Sequence, residues 1–255
     1  MALEKDNIYA ILFKASLLFF SSIEEHLKYI TLALDRGSVK AMVLMGCFQL
    51  AEKKYDEVKK YYLMAIEKGS IEAMTLLVNF YTEIEKDAEQ VKYYCEKIIA
   101  TRNIVKKEKV SYMIALSNLG TYYFDKKDYE NGKIYFEKLF ELDLVVRETF
   151  EFSNDLYEQN THIVNFIETP IEIAALLYGR YFQRIEINLE KMLKYYLIAI
   201  EKGSKDAFHI LLKYCMKNDD KNTLDDLFNR AQIAITNGKK NIICLLYTSD
   251  AADDT

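Results

Sequence analysis

Two segments of the chain are almost identical: residues 60–70 read KYYLMAIEKGS and residues 194–204 read KYYLIAIEKGS. A third segment, residues 28–38, reads KYITLALDRGS and has the same Gly-Ser ending. The copies at 28 and 60 begin 32 residues apart, and the Lys-Tyr-Tyr of residues 92–94 keeps that spacing. Two helices of about 13 to 15 residues with short turns give a period in the low thirties. The sequence therefore predicts a repeat made of two helices.

Glycine and serine mark the joints between these repeats. Gly37, Gly69 and Gly203 follow predicted helices, where a left-handed residue commonly ends the helix. The serine after each glycine is a favourable N-cap for the next helix. Residues 169–172, Thr-Pro-Ile-Glu, are interpreted as a further helix start, with Thr169 as N-cap and Pro170 at the first helical position.

Small and aromatic residues alternate between the two helices of a repeat. The first helix carries an alanine and a glycine five residues apart, at 41 and 46, at 115 and 120, and at 174 and 179. The second helix carries paired rings such as Tyr61 and Tyr62. A small residue opposite a ring allows two helices to approach closely, so the pattern predicts a packed interface between them.

Composition agrees with a helical fold. The 255 residues include one proline, eight glycines and no tryptophan, which argues against an all-β chain with its many turns. Hydrophobic residues make up 51%, enough for a sizeable core and against disorder. The scattered Cys47, Cys95 and Cys215 are interpreted as small core residues in a reducing compartment. We therefore expect the chain in a cytoplasm.

The C-terminal residues stand apart from the repeat. Residues 244–253 read CLLYTSDAAD, which resembles a translated transposase-type sequencing adapter. We expect residues 244–255 to be a disordered tail outside the fold, and the natural reading frame to continue past Ile243.

The whole chain has 34 basic and 39 acidic residues; without the tail's three aspartates the acidic count is 36 and the net charge is −2. This balance argues against nucleic acid or an anionic membrane as partner. The longest apolar stretch, residues 8–20, is too short to span a bilayer.

The repeats resemble Sel-one-like repeats, which are relatives of tetratricopeptide repeats. The resemblance rests on the A-x-x-x-L-G-x-x-Y pattern followed by the K-Y-Y-x-x-A-I-E-K-G-S junction, and residues 60–70 also resemble repeat proteins of giant viruses. It implies an all-α fold, an α-solenoid of antiparallel helix hairpins. Residues 1–243 would form one domain of about six hairpins. Residues 144–169 exceed the period and are either a degenerate repeat or an insertion, expected to be helical and docked.

No catalytic pattern accompanies the repeats. His26, His162 and His209 lie in different repeats, and none neighbours a nucleophile in a known arrangement. The chain has no glycine-rich phosphate loop and no metal-ligand spacing. We therefore expect a protein that is not an enzyme and that has no catalytic residue, cofactor or metal.

The resemblance implies a concave surface lined by the first helices, where a peptide or partner protein would lie. Carried over position by position, the candidates are Lys40, Val43, Thr75, Asn79, Thr82, Ser117, Thr121, Arg180, Gln183, His209 and Lys213. The basic cluster Arg102, Lys106, Lys107 and Lys109 is interpreted as a solvated junction. The predicted function is a protein-interaction scaffold. The alternatives are a recognition arm of a larger enzyme truncated after residue 243, and an RNA-binding helical array.

Overall fold

The computed structural model describes residues 7–18, 21–101, 108–150 and 161–237, with side chains described outside 143–150 and 161–169. Every regular element in these ranges is a helix, so the predicted all-α class is confirmed. The first six are α1 Ile8–Leu18, α2 Ile23–Asp35, α3 Val39–Ala51, α4 Tyr55–Glu67, α5 Ile71–Phe80 and α6 Ala88–Ala100. The others are α7 Lys109–Asp125, α8 Tyr129–Phe150, α9 Thr161–Arg184, α10 Leu189–Glu201, α11 Lys205–Asn218 and α12 Lys221–Thr236. None of these helices is long and apolar enough to cross a membrane.

The chain divides into two compact units, Met1–Ser111 and Tyr112–Thr255. In the N-terminal unit, α1 packs on α2, α3 on α4 and α5 on α6, while α2 also packs on α3 and α4 on α5. In the C-terminal unit, α9 packs on α10, α10 on α11, and α12 on both α10 and α11. All of these contacts join helices that are consecutive in the chain, except the contact of α12 with α10.

The predicted Gly-Ser joints are confirmed. Gly37, Gly69 and Gly203 have left-handed φ angles of 74°, 85° and 104°. The serine after each glycine accepts a hydrogen bond from the backbone N–H of an alanine three residues later. These pairs are Ser38 with Ala41, Ser70 with Ala73, and Ser204 with Ala207, at 3.2, 3.1 and 3.4 Å. An N-cap of this kind contributes about 1 kcal/mol.

The helices α3–α4, α5–α6, α7–α8, α9–α10 and α11–α12 form successive pairs, each with a first and a second helix. A second class of left-handed residue lies between the two helices of each pair. These residues are Lys53, Lys86, Lys127, Ile187 and Asp219, with φ angles between 47° and 61°. None of them is glycine, although this region favours glycine. Ile187 has the smallest φ of the group, 47°, and its β-branched side chain makes that conformation strained. Left-handed residues thus reverse the chain within pairs as well as between them.

The alternation of small and large residues is confirmed at three helix pairs. A Cβ at Gly179 would lie 2.7 Å from Cδ1 of the Tyr196 ring. The same overlap would occur between Gly46 and the Tyr62 ring. The third pair is Gly120 with Phe136. All three rings are fully buried, because the missing side chain leaves room for them in the opposite helix.

The predicted helix start at Thr169 is wrong. Helix α9 begins at Thr161, and Pro170 lies inside it. A proline ring removes one helical hydrogen bond and costs about 3 kcal/mol, but it does not forbid the helix from continuing. The Pro170 carbonyl also accepts a hydrogen bond of 2.9 Å from the Ser117 hydroxyl of α7.

Several sequence expectations lie outside the described residues. They concern the tail of residues 244–255, the basic residues Arg102, Lys106 and Lys107, and the docking of side chains in the segment 144–169. The backbone of that segment is helical at 144–150 and at 161–169, as expected, while 151–160 is not described.

Candidate partner-binding surface

The candidate residues fall on the helices that come first in each pair. In the N-terminal unit, Lys40 lies on α3, Thr75 and Asn79 lie on α5, and Thr82 follows α5. In the C-terminal unit, Ser117 and Thr121 lie on α7, Arg180 and Gln183 on α9, and His209 and Lys213 on α11.

Three of the candidates are buried, which contradicts their expected place on an open surface. Thr75 is 8% exposed, and its hydroxyl donates to the Ile71 carbonyl at 3.0 Å. Ser117 is 4% exposed and donates to the carbonyl of Pro170. Val43 is also buried. A side chain that is covered and whose hydroxyl already has a partner does not meet a ligand, so these positions serve packing.

Two of the three long cationic candidates form ion pairs with acids on neighbouring first helices. Lys40 Nζ lies 2.8 Å from Glu72 Oε1 of α5, and both side chains are about half exposed. Arg180 lies 3.1 Å from Asp206 Oδ2 of α11. Ion pairs of this exposure contribute about 0–1 kcal/mol to stability, so an acidic partner would compete with them rather than meet bare cations.

The side chains of Gln183 and Thr82 are hydrogen-bonded within their own helix pair. The Gln183 Oε1 accepts a hydrogen bond of 2.7 Å from the Tyr196 hydroxyl. Burial raises the pKa of Tyr196 to about 12, so this hydroxyl keeps its proton at neutral pH. Thr82 is exposed, but its hydroxyl donates to the Val78 carbonyl at 2.9 Å. Each side chain thus reinforces the helix or pair that carries it.

The remaining candidates differ in their exposure. Asn79 and Thr121 are half-buried, whereas His209 and Lys213 are exposed. His209 and Lys213 are four residues apart on α11 and therefore share one face of that helix. Lys205 and Lys217 continue the same spacing and are also exposed.

We name these four residues, Lys205, His209, Lys213 and Lys217, the α11 basic stripe. Sequence reasoning found only its two central members. The four-residue spacing of basic side chains was the signal that would have completed it. Of the candidate residues in the C-terminal unit, those on this stripe are the most accessible to a partner.

The cysteine thiols and the His26 imidazole are buried in the fold or contact other groups of it. Cys95 and Cys215 are buried, as predicted, and burial raises the pKa of both thiols, which keeps them protonated. Cys47 is exposed, so its interpretation as a core residue is wrong; its Sγ lies 3.4 Å from the buried Tyr62 hydroxyl. The His26 Nδ1 lies 2.8 Å from the Ala15 carbonyl. Within the described ranges, no three His, Cys, Asp or Glu residues are grouped so that they could hold a metal.

Sequence reasoning missed two sets of exposed apolar side chains. Tyr9, Phe13 and Leu17 are between 64% and 84% exposed on α1. Ile185, Ile187 and Leu189 are between 52% and 79% exposed at the turn between α9 and α10. In the first set, the four-residue spacing could have been recognised as a helix face.

Comparison with known proteins identifies no relative: no protein-family model, no curated protein and no solved structure matches the chain. The resemblance to Sel-one-like repeats therefore stays a prediction drawn from the internal repeats of the chain.

Proposed function

We propose that this chain is a non-enzymatic protein-interaction scaffold, built as an α-solenoid of antiparallel helix hairpins of the Sel-one-like kind. The supporting observation is a packing arrangement that recurs in three helix pairs. A glycine in the first helix receives a buried ring from the second helix at Gly46, Gly120 and Gly179. Repeats that bury their apolar faces against neighbours form extended arrays, and such arrays present long surfaces to partners.

The contacts between consecutive pairs also support stacking. Lys40 joins the first helix α3 to the first helix α5 through Glu72. Arg230 of α12 pairs with Glu201 of α10, which joins one second helix to the next. Equivalent helices of neighbouring repeats meeting side by side are what a stacked array requires.

The α11 basic stripe points to the chemistry of the partner. Its four side chains are exposed and lie along one helix. Its three lysine ammonium groups complement carboxylates spaced along a peptide, and such pairs guide association more than they add affinity. The proposed partner is a protein segment rich in Asp and Glu.

The test uses the full chain as bait for partner proteins and compares it with a variant. Lys213→Glu combined with Lys217→Glu places acids in the stripe, and both positions are exposed, so the fold should persist. We expect a captured partner to bind the variant about tenfold more weakly, equivalent to about 1.4 kcal/mol. Lys221→Glu is the matched control, because it reverses an exposed lysine on α12 outside the stripe. Partner binding that survives the double variant, or falls equally in the control, contradicts the proposed surface.

A further inference from the structure

The exposed side of α11 carries an apolar side chain among its cations. Met216 is 72% exposed and lies three residues after Lys213 and one before Lys217. The opposite side of the helix holds its buried residues, Ala207, Phe208, Leu211 and Cys215. A methionine side chain is flexible and polarizable, so an exposed one suits a surface that adapts to a partner. Met216 therefore adds an apolar contact to the α11 basic stripe.

The helical repeat places Met216 in line with the centre of the stripe. His209 and Met216 are seven residues apart, which is close to two turns of 3.6 residues. The two side chains therefore leave the helix in nearly the same direction, about 10 Å apart along its axis. Lys213 lies between them along the helix, whereas Lys217 points about 100° away from Met216. A segment that lies along the stripe would thus reach Met216 without turning.

The charge changes from the beginning of α11 to its end. The acid in the first turn, Asp206, is paired with Arg180 of α9 at 3.1 Å, so it offsets the cations of the stripe only in part. At the other end, Asp219 and Asp220 follow the helix. The backbone carbonyls of a helix C-terminus also disfavour acids. A carboxylate is therefore stabilised best over the first turns of α11, and Met216 lies where the favourable charge ends.

We propose that the partner of the α11 basic stripe is an acidic segment that also carries a large apolar side chain, and that this side chain packs on Met216. The carboxylates of the segment lie against Lys205 and Lys213, and its apolar side chain follows them toward the end of α11. The charges guide the segment to the helix, while the apolar contact removes surface from water and adds affinity. This inference rests on the proposed function, since it assigns a second feature to the partner of the same surface.

Two synthetic peptides and the full chain test the proposal. Both peptides contain a run of glutamates separated by alanines; one ends in a leucine, and the other has a glutamine in its place. Fluorescence anisotropy of the labelled peptides at low salt measures binding. We expect the leucine peptide to bind about fivefold more tightly, because part of two apolar side chains leaves water. Higher salt should weaken both peptides and leave their ratio unchanged, since salt screens charges.

Met216→Gln removes the apolar group but keeps a side chain of similar length and helix propensity. The two peptides should bind this variant with equal affinity, and the glutamine peptide should bind it as it binds the wild type. Ile233→Gln is the matched control, since Ile233 is 47% exposed on α12 and lies outside the stripe. The control should keep the preference for the leucine peptide. Circular dichroism verifies that both variants remain helical.

The outcomes separate this proposal from the one on which it rests. If neither peptide binds the wild type at low salt, the α11 basic stripe does not bind acidic segments, and both proposals are overturned. If the peptides bind equally well and Lys213→Glu combined with Lys217→Glu removes that binding, the stripe is retained and the role of Met216 is overturned. A preference for leucine that persists in Met216→Gln, or that is also lost in Ile233→Gln, overturns the role of Met216 as well.

Discussion

The helix pairs α3–α4 and α5–α6 follow each other in the N-terminal unit but pack their aromatic rings differently. In α3, Gly46 leaves room for the fully buried Tyr62 ring. At the equivalent position of α5 stands Val78, itself fully buried, and Tyr94 instead stacks on Tyr81 with ring centroids 5.9 Å apart. One side chain thus decides whether the ring lies against the helix backbone or against another ring.

The end of α5 changes with this packing. Residues Tyr81–Glu85 form a π-helical turn, and the left-handed residue after it is Lys86, 13 residues beyond Ala73. In α3 the corresponding Lys53 comes 12 residues after Ala41. A π-turn holds one additional residue in a helix, which accounts for the difference. In α5, the valine thus accompanies both the stacking of the two rings and the additional residue of the π-helical turn.

The largest expected effect comes from removing the valine. Val78→Gly deletes a buried side chain and adds a flexible residue inside α5, so we expect a loss of about 3 kcal/mol in the free energy of unfolding. Urea unfolding of the full chain measures it. Unchanged stability would mean that the Tyr94 ring moves into the vacated space, as Tyr62 does beside Gly46, and that the difference between the pairs is not fixed by packing.

The reverse exchange is expected to cost somewhat less. Gly46→Val places side-chain atoms where the Tyr62 ring lies, and overpacking of this kind costs about 2 kcal/mol. The midpoint of thermal unfolding is the readout. Gly69→Ala is a useful comparison, since no atom lies within 4 Å of its added Cβ and its cost, about 1 kcal/mol, arises only from the left-handed backbone. A Gly46→Val chain as stable as the wild type would show that α3–α4 can adopt the packing of α5–α6.

A smaller effect is expected from the tyrosine hydroxyls. Burial raises the pKa of Tyr62, as does its contact with Cys47, and burial also raises that of Tyr94. Since the protonated form is favoured in the folded state, this stability is complete below the ordinary tyrosine pKa of about 10 and is lost as the pH rises through the raised value. Tyr62→Phe should cost about 0.5–1 kcal/mol at neutral pH and should weaken the alkaline loss of stability.

Tyr94→Phe is the matched variant for that experiment. Tyr94 is 7% exposed whereas Tyr62 is fully buried, so the alkaline limb of the stability profile should change less in Tyr94→Phe. Chemical unfolding at a series of pH values compares the two variants. Identical alkaline limbs would indicate that the two rings have equivalent surroundings.

The smallest expected effect concerns the ion pair at the π-helical turn. Lys59 of α4 lies 2.7 Å from Glu85 Oε1, and this hydrogen bond raises the pKa of the lysine. Glu85→Gln should cost about 0.5 kcal/mol at low salt and less at high salt. The contribution of the pair should be complete below the ordinary lysine pKa and be lost as the pH rises through the raised one. Unfolding in low and high salt measures it, and a cost that does not depend on salt would contradict an electrostatic role.

Sequence reasoning succeeded where one residue type has one structural meaning. Gly37 was predicted at a left-handed joint because glycine favours that conformation, and Ser38 was predicted as a cap because its hydroxyl accepts an N-terminal N–H. Lys53 and Ile187 gave no such signal, because neither residue type favours a left-handed φ. Their turns are imposed by the packing of the helices on either side.

The candidate surface was predicted less well, for a reason seen at Thr75 and Ser117. Both are polar residues at positions expected to face a partner, but both are buried, with hydroxyls bonded to the carbonyls of Ile71 and Pro170. A hydroxyl that satisfies a carbonyl in its own helix or a neighbouring one is compatible with burial. The sequence alone does not reveal which serines and threonines are satisfied in this way.

The identical joints have a consequence for how genes of this kind change. Residues 60–70 and 194–204 differ at one position, and both end in a glycine and a capping serine. Recombination between the DNA segments that encode them would remove or duplicate residues 71–204. In either product, every new junction would still consist of a left-handed glycine and an N-cap serine. A crossover within these segments would therefore change the number of helix pairs in the chain and leave the form of the joint unchanged.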